Sequence, residues 1–195
     1  QFLNNGRKVL FSGTPCQIAG LKKFLRKDYE NLLTVEVVCH GVPSPMVWRD
    51  YLEYKRAESA AGKKTVSSSL NELPVITGIS FRDKTNGWKK FGFKICYAAS
   101  KAAENSVSKS ANIINCKITP FNEDVFMRGF LKNLYLRPSC YHCVARQGKS
   151  GADIAIADYW GIQRIHPELD DEKGVNLVLI NTQKGRIYFN EIEGI

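Results

Sequence analysis

No apolar run in this chain approaches the roughly 18 to 20 residues that a membrane-crossing helix needs, and no signal-peptide pattern opens it. A transmembrane helix is therefore not expected, and the chain reads as soluble and cytoplasmic. Acidic residues are in deficit: 19 Asp and Glu stand against 28 Lys and Arg, a formal net charge of +9. Such a balance favours anionic partners such as phosphates, acidic cofactors or an acidic protein. The basic residues are spread along the chain without a helix-turn-helix, zinc-finger or RNP signature, so nucleic acid is not the expected partner. Internal repeats and long low-complexity tracts are also missing.

What is present is 195 residues, 44% hydrophobic, enough for one well-buried domain. The opening QFLNNGRKVLFSG reads as the approach to a strand already inside a domain, so the expectation is a fragment with protein missing upstream. Cysteines stand at 16, 39, 96, 116, 140 and 143. A core of this size needs no disulfide staple, and a cytosolic setting makes metal binding or catalysis the better reading of a Cys-x-x-Cys pair.

The pattern predicts strands at Lys8–Ser12 and Leu32–Val38, each followed by a helix, about Cys16–Lys27 and then Ser44–Glu58 with Pro45 in its first turn. Strand, helix, strand, helix is the order of a right-handed crossover between parallel strands. Residues 57–73 read as an exposed excursion. Val75–Arg82 and Trp88–Ala98 read as a hairpin, 101–111 as a polar stretch, and Glu123–Lys132 as a helix. Ala152–Ala157 and Asn176–Thr182 read as strands, and Gly185–Glu193 as the start of a helix. The expected fold class is α/β, a small parallel or mixed sheet flanked by helices, with a β-hairpin excursion over about residues 62–118.

The densest chemistry lies in Arg137–Gly161, RPSCYHCVARQGKSGADIAIADYWG. Pro138 favours an extended or turn conformation before it, so Cys140 and Cys143 are expected on a loop able to wrap a metal. Cys16 and Cys39 each follow the carboxyl end of a strand, the edge where ligands bind in an open parallel sheet. Cys16 also begins a helix, where free N–H groups favour a thiolate. Four sulfurs from three loops suit an iron–sulfur cluster or a structural zinc. Cys16 and Cys39 are equally readable as small buried residues. Cys16 with His40 as base would make a nucleophile pair, a weak match without geometry. Cys96 and Cys116 read as core or surface passengers. Lys149, in the glycine turn Gly148–Gly151, is a candidate for a cofactor phosphate, and Trp88 and Trp160 for stacking on a planar ring.

FSGTPCQIAGLKKFL (Phe11–Leu25), VCHGVPSP (Val38–Pro45), ISFRDKTNGW (Ile79–Trp88) and RPSCYHC followed by ADIAIADYWGI (Arg137–Ile162) together resemble the C-terminal domain of the coenzyme F420 hydrogenase/dehydrogenase beta-subunit family. The resemblance runs over nearly the whole chain, and makes residues 1–195 one such C-terminal domain. It implies an iron–sulfur flavoprotein that moves electrons between a [4Fe–4S] cluster, FAD and a hydride-accepting or reducible substrate such as coenzyme F420. Related members include hydrogenase and formate dehydrogenase subunits and plant enzymes that reduce a chlorophyll side group. By this resemblance Cys16, Cys39, Cys140 and Cys143 are the cluster ligands, and Thr14, Gln17, Lys149, Asp158 and Trp160 line the flavin pocket. The implied partners are an upstream ferredoxin-like domain or a redox subunit and a small-molecule electron carrier, and the isolated piece is expected to be inactive. A non-catalytic zinc domain built on the same four cysteines is the alternative.

Overall fold

In a computed structural model the chain is described over residues 1–61, 73–98, 113–171 and 173–193. It divides into two compact units, Gln1–Gly41 with Pro138–Ile195, and Val42–Arg137.

The first unit holds a four-stranded sheet in the order β1 (Val9–Gly13), β2 (Leu32–Val37), β6 (Ile154–Asp158), β7 (Asn176–Ile180). The first three strands run parallel, with Val9 paired to Leu32 and Val35 to Ile154, and β7 is antiparallel to β6. Parallel neighbours require a crossover, which α1 (Pro15–Leu25) supplies between β1 and β2. Proline is well placed at the first turn of α1, where its missing N–H costs nothing, and Arg26 closes the helix in the left-handed conformation at φ 58°. Ile18, Leu32, Leu33, Ile154 and Ala155 are buried. In the chain, the short turns α4 (Pro138–Tyr141) and α5 (Ile162–Ile165) come before and after β6. α6 (Gln183–Glu193) follows β7 and starts at Thr182, whose hydroxyl accepts from Gly185 N–H at 3.0 Å.

The buried carboxylate of Asp153 ties this sheet together. Thr34 donates to its Oδ2 through both N–H (2.8 Å) and Oγ1 (2.7 Å), and Thr182 Oγ1 donates to Oδ1 at 2.8 Å. Lys184 Nζ lies 3.7 Å from Oδ1. One side chain thus joins β2, the start of β6 and the cap of α6. Burial works to raise its pKa, but the bonds from Thr34 and Thr182 and the charge of Lys184 outweigh it and hold the carboxyl below its ordinary value.

In the second unit, the antiparallel sheet β3 (Val75–Asp83), β4 (Gly92–Ala98), β5 (Ile113–Pro120) accompanies α2 (Pro45–Ala61) and α3 (Val125–Leu131). Tyr51, Phe91, Phe93, Ile95, Tyr97, Phe126 and Met127 form its core. Tyr51 donates to Asp124 Oδ2 at 2.6 Å, and Oδ1 of the same carboxylate accepts from Met127 N–H at 3.0 Å, capping α3. Burial, and then the bond to Asp124, push the Tyr51 phenol well above its ordinary value.

The α/β class with a mixed sheet and a β3–β4 hairpin agrees with expectation. Three local readings change. Residues 57–61 are the last turns of α2 rather than the start of an excursion; the rest of that stretch from 62 to 72, and the polar stretch 101–111, lie outside the described residues. The sequence INCKIT contributes a third strand, β5, that the pattern does not announce. Cys96 and Cys116, read as passengers, are register partners across β4 and β5 and form a disulfide. A spacing of 20 residues carries no hint of that pairing, which exists only because two strands lie side by side.

Candidate functional site

The remaining cysteines, 16, 39, 140 and 143, are free thiols, and all belong to the first unit. Cys16 enters α1 directly behind Thr14 and Pro15. Gln17 folds back over this turn, its Oε1 accepting from Thr14 N–H at 2.8 Å and from Thr14 Oγ1 at 3.1 Å. Thr14 Oγ1 also lies 3.3 Å from Cys16 Sγ and, with its own proton given to Gln17, accepts from that thiol at an exposed helix start. Cys39 follows β2. Its position relative to Cys140 comes from the chain itself: Arg137 N–H donates to Val42 O at 2.8 Å, and Pro43 bridges Leu136. Cys39 lies three residues before that junction and Cys140 three after it.

Cys140 is not on an open loop. It sits in the single helical turn α4, with His142 Nδ1 3.4 Å from Pro138 O, and Cys143 follows this turn. Proline at the first position suits a helical turn as well as a bend, and here the turn wins.

Although Cys39 as a residue is exposed, partial burial pushes its thiol above its ordinary value. A backbone hydrogen bond from Gly41 works against this, and negative charge on Cys16, Cys140 and Cys143 adds to the rise. Each of the other three sulfurs is therefore near enough for its charge to be felt at Cys39. Among the described residues no three His, Cys, Asp or Glu side chains are drawn into an arrangement that would grip a metal ion. The four thiols form a neighbourhood, not a closed ligand set.

The flavin-wall candidates divide by position. Thr14 and Gln17 follow β1, and Asp158, Tyr159 and Trp160 end β6; because β1, β2 and β6 are parallel, all stand at the same sheet edge as Cys39. Trp160 is 55% exposed. Lys149 is different. It precedes β6, in a turn where Gln147, Gly148 and Gly151 all have positive φ, and Gly151 packs against Lys22 late in α1. That turn leads into the start of β6, the sheet edge opposite to the one followed by Cys16 and Cys39. A cleft of about 610 Å³ opens on this opposite side, lined among others by Lys8, Lys22, Asp153, Lys184 and Tyr188, and contains no cysteine.

The family model describing the C terminus of the beta subunit of coenzyme F420 hydrogenase/dehydrogenase matches residues 6–194. The chain belongs to this family. Among curated proteins none matches it. A solved structure similar to this family member is the xenon-derivatised F420-reducing [NiFe] hydrogenase complex from Methanosarcina barkeri, at 14% identity and TM-score 0.43. The match covers 96% of this chain and 48% of that one, so this family member spans about half the length of that relative. Membership places it with the C-terminal part of F420 hydrogenase/dehydrogenase beta subunits. No helix among the described residues is long and apolar enough to cross a membrane.

Two buried acidic residues of the first unit escape a reading from sequence. Asp153 looks like a lone polar interruption of an apolar run, and Glu36 like one more polar residue in LLTVEV. Their shared signal is a carboxylate inside a segment otherwise fit for burial.

Proposed function

We propose that this chain is the domain of a flavin- and iron–sulfur-dependent oxidoreductase in which electrons pass between a [4Fe–4S] cluster, FAD and a reducible substrate such as coenzyme F420. The observation that supports the reading is a set of four free thiols in one unit, two of them following the ends of parallel strands, with charge on each of the other three raising the pKa of Cys39. The donor set fits the group, since four thiolates are what such a cluster takes. Cys16, Cys39, Cys140 and Cys143 would hold it, with the positive end of the helix dipole at the start of α1 favouring negative charge on the Cys16 sulfur. A flavin carries two electrons as hydride and a cluster takes them singly, so the pair couples the two kinds of transfer. Thr14, Gln17, Asp158 and Trp160 are this chain's contribution to the flavin wall. Lys149, at the far edge, serves the ring only if the cofactor extends across the sheet. An upstream ferredoxin-like domain or partner redox subunit supplies or drains the electrons.

Iron and acid-labile sulfide measured per chain after anaerobic reconstitution test this. About four of each are expected in the wild type, falling sharply in Cys140→Ser. One zinc per chain, retained through iron reconstitution, would overturn the redox reading in favour of a structural metal.

A further inference from the structure

β2 carries a single acidic residue, Glu36, and it is 4% exposed. Its Oε2 is the one buried side-chain polar atom among the described residues with no hydrogen-bond partner. Natural folds pair nearly all such atoms, because a carboxylate oxygen taken out of water without a donor destabilises the fold. Its register partners explain the missing donor: Gly13 on one side and Ala155 on the other have no side chain able to supply one.

Its placement gives the orphaned oxygen a use. Gly13 leads into Thr14-Pro15-Cys16 and Glu36 precedes Cys39 by three residues, so this rung lies at the sheet edge that carries the thiols. In-register parallel neighbours point their side chains to the same face. A Cβ on Gly13 would come 2.8 Å from Gln17 Oε1 and 3.3 Å from Gln17 Cβ, so the absence of a side chain there is what lets Gln17 lie over the rung on Glu36's face. Gln17 Oε1 is engaged by Thr14 N–H and Oγ1, which fixes the amide orientation and leaves Nε2 as its donor. One face of one rung therefore offers an unsatisfied acceptor and an amide donor.

The chemical complement of that pair is an N–H beside a C=O, the lactam edge of a planar heterocycle. We propose that Glu36 and Gln17 bind the lactam edge of the flavin-class ring, Glu36 Oε2 accepting from the ring N–H and Gln17 Nε2 donating to the adjacent carbonyl. This rests on the flavin reading above and extends it by naming Glu36, which neither the family match nor the sequence motifs single out.

The test is fluorescence titration of the purified chain with FAD and with N3-methyl-FAD, in which a methyl group replaces the ring N–H, on wild type, Glu36→Gln and Glu36→Leu, with thermal midpoints recorded in parallel. The wild type is expected to bind FAD about tenfold or more tightly than the methylated analogue. Glu36→Leu should lose that discrimination and about tenfold in FAD affinity while its thermal midpoint holds or rises, because an apolar side chain replaces an orphaned acceptor. Glu36→Gln should fall between them, and decides the matter if the leucine variant does not fold. FAD affinity within about twofold of wild type in the variants, or a wild type indifferent to the methyl group, overturns the proposal alone. A wild type that takes up neither iron nor FAD overturns the redox reading and this inference together.

Discussion

Asp153 and Glu36 are both buried acids of the first unit, yet their surroundings are opposite. Asp153 receives four polar contacts from Thr34, Thr182 and Lys184, whereas one oxygen of Glu36 receives none. The first arrangement stabilises the fold. Because the folded-state carboxyl of Asp153 sits below its unfolded value, its contribution is fully present above that unfolded value, about 3.9, and is lost as pH falls through the lower folded value. Thermal midpoints measured on acidification should therefore drop below about pH 4. Asp153→Asn should lose about 1–3 kcal/mol near neutrality and show a shallower acid drop, since the amide cannot accept charged bonds. An unchanged acid profile in that variant would show that other carboxylates carry the effect.

At the scale of elements, two glycines in helices invite the same substitution and predict opposite results. Gly20, in α1, has nothing within 4 Å of an added Cβ, so Gly20→Ala should raise stability by about 0.5–1 kcal/mol through helix propensity. Gly185 lies in α6, where a Cβ would run into the backbone carbonyl of Asp153 and approach Ile154 Cγ1 to 3.1 Å. The backbone cannot yield as a side-chain tip can, so Gly185→Ala should lower the unfolding midpoint despite the same propensity gain. Chemical denaturation of the two variants beside wild type checks both signs at once. Elements that carry their own signal are legible in the sequence. α1 is announced by Thr14-Pro15 and an apolar stripe through Ile18 and Leu21, and the β3–β4 hairpin by alternation around Asp83–Gly87. β5 is not, because Asn115, Cys116 and Lys117 dilute the apolar pattern and its strand character comes from pairing with β4.

For the whole molecule, the cysteines divide by unit. Four are free in the first, and the pair Cys96–Cys116 joins two strands of the second. Alkylation of the denatured, unreduced protein should label four cysteines, and all six only after reduction. Replacing Cys96 and Cys116 together by serine should cost about 3 kcal/mol of stability, the scale expected for closing a loop of this length, with iron loading of the other four unchanged. Loss of iron in that double variant would show that the two units are not independent in holding the site.

The linear chain already determines the α/β class, the strand-helix order of the crossover and the motifs that mark its family, because these reside in local periodicity and short contiguous strings. The gathering of Cys39 with sulfurs more than 100 residues away belongs to the tertiary structure, through the Val42–Arg137 pairing. So do the Cys96–Cys116 bond and the contrast between a satisfied Asp153 and an orphaned Glu36. Each depends on which strand lies beside which and in what register, and a shift of one residue in that register would turn every side chain on the strand to the other face.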